Sequence, residues 1–194
     1  MAEVILWDVM DTLVRDPFFT HMPDFFGHSF EGLVKRLRRG TWVEFELGKL
    51  KESELYANFF ADGSPIDGPG LKRCMGEGYA WIEGIEPILA ELKSRGVEMH
   101  ALSNYPEWYR LVEERLGLSR YIELSFISCH TGVRKPAPEA YLGACAALGR
   151  RPEECLFIDD REVNCTAARA VGMNAWRFAG VPELRLELVA AGFL

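Results

Sequence analysis

The stretch "EVILWDVMDTLV" ends an apolar run on a carboxylate, Asp8, and places a hydroxyl, Thr12, four residues further on. Val4, Ile5, Leu6 and Trp7 read as a short buried strand. Asp8 then falls at the strand's carboxyl end, where open α/β sheets hold their ligands. A carboxylate there can attack an electrophile or bind a metal ion. An aspartate after a strand also commonly serves as a turn residue or helix cap. Three further segments bear on the choice. Ser103 and Asn104 end "MHALSN", Lys135 lies in "TGVRKPAPEAY", and Asp159, Asp160 and Asn164 lie in "FIDDREVN". Each alone has an ordinary use as a turn, solvated loop or cap. Their joint occurrence in this order, at the ends of strand-like runs, is far more specific.

Together these residue types meet the needs of phosphoryl transfer through an aspartyl phosphate. An ionised carboxylate must attack phosphorus. A divalent cation must offset the repulsion between that carboxylate and the phosphate. Two carboxylates at a second strand end can anchor Mg²⁺ through oxygen ligands. Hydroxyls and backbone amides must hold the phosphoryl oxygens, and a lysine must offset the developing charge.

The elements that position these groups alternate. From residue 86 onward, helical runs ("EPILAELKSRG", "PEWYRLVEERLG", "PAPEAYLGACAALG", "EVNCTAARAVG") separate strand-like runs ("VEMHALS", "LSFIS", "CLFI", "NAWRF"). With the first strand, this predicts a Rossmann-like parallel α/β sheet of about five strands, with helices on both faces. Residues 14–85 differ. "SFEGLVKRLRRG", "TWVEFELG", "KESELYANFFADG" and "GLKRCMGEGYAWI" carry helical periodicity and no strand alternation. They predict a small helical cap at 14–85, inserted into a core made of 1–13 and 86–194.

The 194 residues suffice for a core plus such an accessory unit. A net charge of -7 argues against nucleic-acid binding by bulk electrostatics, while local lysines and arginines can still hold an anionic small molecule. No apolar stretch is long enough to span a membrane, and no basic-then-apolar leader opens the chain. The five cysteines are odd in number and form no C-x-x-C pair. That fits free thiols in a reducing compartment, the cytoplasm or, after loss of a transit peptide, an organelle stroma. Cys129 and His130 are adjacent in the sequence; on a strand they point to opposite faces, which argues against their pairing.

The segments "DVMDTL", "LSN", "RKPAPEAY" and "FIDDREVNCTAARAVGM" resemble, in order and spacing, the motifs of the haloacid dehalogenase superfamily of hydrolases. The resemblance covers the whole sheet region, and the insert resembles the small helical cap of many members. It implies that Asp8 is the nucleophile and a Mg²⁺ ligand. Thr12 and Ser103 bind the phosphoryl group, with Asn104 beside them, and Lys135 orients nucleophile and phosphate. Asp160 is the direct metal ligand of the acidic pair, supported by Asp159 and Asn164.

Phosphatase members typically carry a second Asp two residues after the nucleophile, then Gly. Here Met10 and Asp11 stand there, and Thr12 keeps the register. Met10 can still offer its main-chain carbonyl to a metal, but its side chain has no proton to give. A positioned general acid is worth roughly 10²–10⁴-fold in rate. Four readings stay open. Asp11, another group or a water replaces the acid; or the leaving group needs none, as in an acyl phosphate; or the protein binds a phosphorylated ligand with little turnover. The fourth is a dehalogenase, which lacks the second Asp but does not use the Mg²⁺ for which Asp159 and Asp160 look suited.

"DVMDTLVRDPFF", "WVEFELGKL" and "LSNYPEWY" are similar to a branch that includes plastid enzymes described as flavin mononucleotide (FMN) hydrolases. This implies a small phosphorylated substrate such as FMN or a related ribityl or nucleotide phosphate. Phe18, Phe19, Phe25, Phe26 and Trp42 either stack on such a ring or form the cap's own core. Arg15, Arg36, Arg38 or Arg39 could reach the substrate from the cap.

Overall fold

A computed structural model describes residues 3–194. β1 (Val4–Trp7) is an unbroken apolar run with every residue buried, as a central strand covered on both faces requires. After a tight turn the chain forms β2 (Val14–Arg15). Five short helices follow: α1 (His21–Phe25), α2 (Phe30–Arg36), α3 (Thr41–Glu46), α4 (Glu52–Ala57) and α5 (Gly68–Gly78). The chain returns as β3 (Ala80–Trp81). Strands and helices then alternate through α6 (Ile85–Ser94), β4 (Glu98–Ser103), α7 (Tyr109–Leu116), β5 (Glu123–Ile127), α8 (Ser128–Thr131), α9 (Pro138–Leu148), β6 (Cys155–Asp159), α10 (Glu162–Ala170), β7 (Asn174–Arg177) and α11 (Val181–Ala190). Local chemistry sets several ends. Ser29 and Asp67 accept from Gly32 and Gly70 N–H to open α2 and α5. Gly117 and Gly149, both left-handed, close α7 and α9.

The main sheet runs in the order β5-β4-β1-β6-β7, with all neighbours parallel. Alternate residues of each strand feed opposite faces. Ile5, Trp7, Met99 and Ile158 pack with Leu89 of α6, Val112 of α7 and Leu188 of α11. Val4, Leu6 and Phe157 pack with Tyr141 of α9 and Ala168 of α10. The expected α/β fold, five parallel strands between two helical layers, is the one formed. The chain lays β4 and β5 on one side of β1, then crosses to lay β6 and β7 on the other. The carboxyl ends of β1 and β6 therefore flank the switch point where such sheets bind ligands.

The region 14–85 departs from an all-helical reading. Val14 and Arg15 pair antiparallel with Trp81 and Ala80, and Ile82 N–H donates to Leu13 C=O, so a short ribbon closes the base of the insert. Two-residue strands are too short to leave a period in the sequence. The helix expected through "GLKRCMGEGYAWI" likewise stops at Gly78, and Ala80–Trp81 pass into the ribbon. Cys129 and His130 lie on the short helix α8, not on a strand, because β5 ends at Ile127. The insert touches the core closely there: a Cβ on Gly48, whose φ is +68°, would lie 2.3 Å from Cys129 O. Beside it, Ser128 Oγ donates to Glu46 C=O at 2.6 Å.

Candidate active site

Asp8 leaves β1 at the switch point with its backbone N–H still bonded to Ile158 C=O of β6 (2.9 Å). Its carboxylate is held on both oxygens: Lys135 Nζ donates to Oδ1 at 2.6 Å and Thr12 Oγ1 to Oδ2 at 3.0 Å. Lys135 also donates to Asp159 Oδ2 at 2.7 Å. Thr12 Oγ1 accepts Asp160 N–H at 3.0 Å, which ties the first turn to the end of β6. Asn104 grips the Lys135 backbone twice, donating to its C=O and accepting its N–H, each at 2.8 Å. The sequence motifs thus meet at the carboxyl end of the sheet, above its central strands. Burial works against the Lys135 charge, but Asp8 and Asp159 outweigh it and hold the ammonium above its usual range. Burial drives the Asp8 carboxyl upward; Lys135 opposes this, and Asp159 and Asp160 add to it.

The acidic groups suit a hard cation. One carboxylate oxygen each of Asp8, Asp159 and Asp160 lie within 4.8 Å of one another. Asp159 is fully buried and saturated: Arg161 N–H (2.8 Å), Asn164 Nδ2 (3.0 Å to each oxygen) and Lys135 all donate to it. Asp160 differs, since its carboxylate accepts no hydrogen bond among the described residues. Its pKa is pushed up to about 6, first by burial and then by Asp159 and Asp11. A crowd of carboxylates with one free member is an oxygen-donor set that fits Mg²⁺.

Above this floor opens a cavity of about 380 Å³, lined by Asp8, Met10, Asp11, Asn104, Lys135, Asp160 and Asn164 among others. Ser103 is not in that lining. It faces a small apolar recess with Val9 and Met10, and its buried Oγ has no partner among the described residues. Asp11 has φ +56°, a left-handed turn residue, and its Oδ1 accepts Asp16 N–H at 3.0 Å. The 14–85 segment contributes Asp16, Phe18, Phe19, Trp42 and Glu46. The aromatics named from sequence therefore divide. Phe18, Phe19 and Trp42 reach the cavity, while Phe25 and Phe26 pack edge to face with each other, and Phe26 packs on Phe59 and Phe60 inside the insert.

None of Arg15, Arg36, Arg38 and Arg39 lines the cavity; Arg36 lies over the Phe60 ring at 4.3 Å. The cavity's arginines are Arg134 and Arg161, which sequence reasoning missed although both sit inside quoted motifs. Arg134 pairs with Glu46 at 2.7 Å, and Trp42 Nε1 donates to the other Glu46 oxygen at 2.8 Å. Asp16 was missed as well, since a lone carboxylate in "VRDPFF" reads as a turn.

Comparison with known proteins identifies the family. The family model for haloacid dehalogenase-like hydrolases matches residues 75–172. The chain is 43% identical over 189 residues to the chloroplastic flavin mononucleotide hydrolase 1 of Arabidopsis thaliana, covering 97% of this chain and 77% of that protein. It is 30% identical over 154 residues to a sesquiterpene phosphatase of Aspergillus oryzae, covering 75% and 76%. Its fold matches a family enzyme of Bacteroides thetaiotaomicron solved with magnesium and inorganic phosphate. The TM-score is 0.73 at 20% identity, over 91% of this chain and 94% of that one. With the fold, the sheet-end carboxylates and these relatives in agreement, the chain belongs to the haloacid dehalogenase-like hydrolases.

Proposed function

We propose that the chain is a Mg²⁺-dependent phosphomonoesterase working through an aspartyl phosphate, with FMN or a related ribityl or nucleotide phosphate as substrate. The observation that carries this reading is Asp8 on the cavity floor, its carboxylate plane fixed by Lys135 on one oxygen and Thr12 on the other. In this reading Asp8 attacks phosphorus. Lys135 stays charged beside it and offsets the charge building on the phosphoryl oxygens. Ser103 and Asn104 hold the phosphoryl group, whereas Thr12, fully buried with its hydroxyl spent on Asp8 and Asp160 N–H, fixes the nucleophile instead of meeting the substrate; the unpartnered Ser103 hydroxyl gains an acceptor if the recess opens toward it. The metal site is Asp8, Asp160 and the Met10 carbonyl, with Asp159 and Asn164 as orienting support. Bound there, Mg²⁺ supplies neutralisation of the repulsion between carboxylate and phosphate.

Residues 14–85 act as a cap on a core of 1–13 and 86–194, and their wall excludes water during the first transfer. Phe18, Phe19 and Trp42 give that wall an aromatic surface for a planar ring, in a cavity within the ~300–1,000 Å³ range of small-molecule sites. The 43% identical relative named for FMN hydrolysis supports this choice of substrate. No helix among the described residues is long and apolar enough to cross a membrane. Five free thiols fit a reducing compartment, the cytoplasm or a plastid stroma.

The test is phosphate release from FMN with and without Mg²⁺; metal-dependent release is expected. Met10 at the position of the usual acid favours a second reading, a phosphate-ligand binding protein. That protein would be thermally stabilised by FMN and release no phosphate. A dehalogenase would release halide from a 2-haloacid without Mg²⁺.

A further inference from the structure

Met10 lines the cavity where a proton donor is needed and cannot supply one. Three carboxyl groups that are neither nucleophile nor metal ligand share the same lining, Asp11, Asp16 and Glu46; Glu46 is held by Arg134 on one oxygen and Trp42 Nε1 on the other. Asp11 makes the left-handed turn at φ +56°, and its Oδ1 is engaged by the Asp16 backbone N–H at 3.0 Å. Asp16 uses Oδ1 to accept Phe18 N–H at 2.9 Å. Its other oxygen has no hydrogen-bond partner among the described residues. Asp11 thus braces the segment that carries Asp16, and Asp16 presents the carboxyl.

We propose that Asp16 is the proton donor to the leaving oxygen, taking over the role that position 10 has lost, with Asp11 as its positioning residue. The proposal rests on the phosphomonoesterase reading. In the first step Asp8 forms a bond to phosphorus and the bond from phosphorus to the ester oxygen breaks. The electron pair stays on that oxygen, which takes the Asp16 proton and leaves as the alcohol. In the second step a water gives its proton to the Asp16 carboxylate and attacks phosphorus. The phosphorus–Asp8 bond breaks, phosphate departs, and both side chains return to their starting states.

The surroundings suit a group that must carry a proton at neutral pH. Burial is the largest influence on Asp16 and disfavours its anion; Phe18 N–H works against this, and the charges of Asp11, Glu46 and Asp160 add to it. The pKa is pushed up to about 7, near the value that serves both halves of an acid–base cycle. The remaining charged groups on the same cavity are Asp8, Lys135, Arg134 and Arg161. The Tyr79–Tyr105 hydroxyl pair, 2.6 Å apart, is buried, with Tyr105 also on the lining.

The experiment compares kcat/KM for an alkyl phosphate and for p-nitrophenyl phosphate, in Mg²⁺, for wild type and Asp16→Asn. Asn keeps an oxygen for Phe18 N–H, so the turn is retained. The alkyl ester is expected to lose roughly 10²-fold or more. The p-nitrophenyl ester, whose leaving group departs without protonation, loses far less. Wild-type kcat/KM for the alkyl ester falls as pH rises through about 7, and this limb is absent for the p-nitrophenyl ester. Adding Met10→Asp to Asp16→Asn restores alkyl turnover. Equal losses on both esters, no loss on either, or a wild-type alkaline limb shared by both esters would overturn the assignment. The wild-type pH comparison decides the matter even if the variant fails to fold. Absence of phosphate release from every ester in wild type would instead remove the phosphatase reading itself, and this proposal with it.

Discussion

The sheet side and the cap side of the cavity are built on different rules. On the sheet side, Asp8, Lys135 and Asp159 form a buried chain in which each charge meets an opposite one at 2.6–2.7 Å, and Asn164 and Arg161 N–H complete Asp159. On the cap side, Asp16 keeps one oxygen without a protein partner, Phe19 is half exposed, and the Glu46–Arg134 pair is open to solvent on the arginine. The difference teaches a division of labour. A saturated network fixes geometry and has little freedom to adjust, whereas an unsaturated wall can set proton transfer and substrate choice.

The largest effect expected from breaking this contrast is on the sheet side. Lys135→Ala leaves Asp8 and Asp159 as uncompensated buried carboxylates, and urea unfolding should show a loss of about 3–5 kcal/mol. Arg134→Ala, which frees Glu46 of the 14–85 segment, should cost only about 1–3 kcal/mol. Equal losses would erase the distinction. Next in size, Asn164→Ala removes the side-chain amide that donates to both oxygens of Asp159. The Mg²⁺ concentration giving half-maximal phosphate release should rise about 10–100-fold; an unchanged Mg²⁺ requirement would deny Asn164 its supporting role.

How much of this was legible in the sequence follows the same division. β1 and β6 are unbroken apolar runs ending in aspartates, so the carboxyl end of the sheet and its carboxylates can be read from residue order alone. Asn104 comes with them at the end of β4, and Lys135 through the short motif that opens α9, in the loop eight residues past the end of β5. The β2–β3 ribbon escaped because two residues carry no period. Asp16, Glu46 and Arg134 escaped because their roles arise from tertiary contact: Glu46 lies 88 positions from its arginine partner in the sequence. The aromatic residues were ambiguous for a physical reason, since stacking surface and cap core use the same side chains. Only packing separates Phe19 and Trp42 from Phe25 and Phe26.

Smaller effects sharpen the cap side. Burial pushes the Asp16 carboxyl up to about 7, far above the ordinary carboxylate range, so ionising it costs folded-state stability. That cost is absent below about pH 4, grows as pH rises from about 4 to about 7, and is fully present above that. Asp16→Asn should therefore raise the thermal midpoint at pH 8 relative to wild type and leave it nearly unchanged at pH 4; the reverse order would place Asp16 in an ion pair. Smallest of all, Phe19→Ala should raise KM for FMN by several-fold, from about 0.5–1.5 kcal/mol of stacking. The KM for glycerol phosphate, which has no ring, should hold steady. Equal changes in both would assign Phe19 to the cap's packing alone.

The central claim is that Asp8 accepts the phosphoryl group. Its most direct test is the rate of Mg²⁺-dependent phosphate release from FMN by Asp8→Asn, a variant that keeps the side chain's size and its contact with Thr12. A fall on the order of 10³-fold or more is expected for loss of a covalent nucleophile. Release at the wild-type rate would contradict the account.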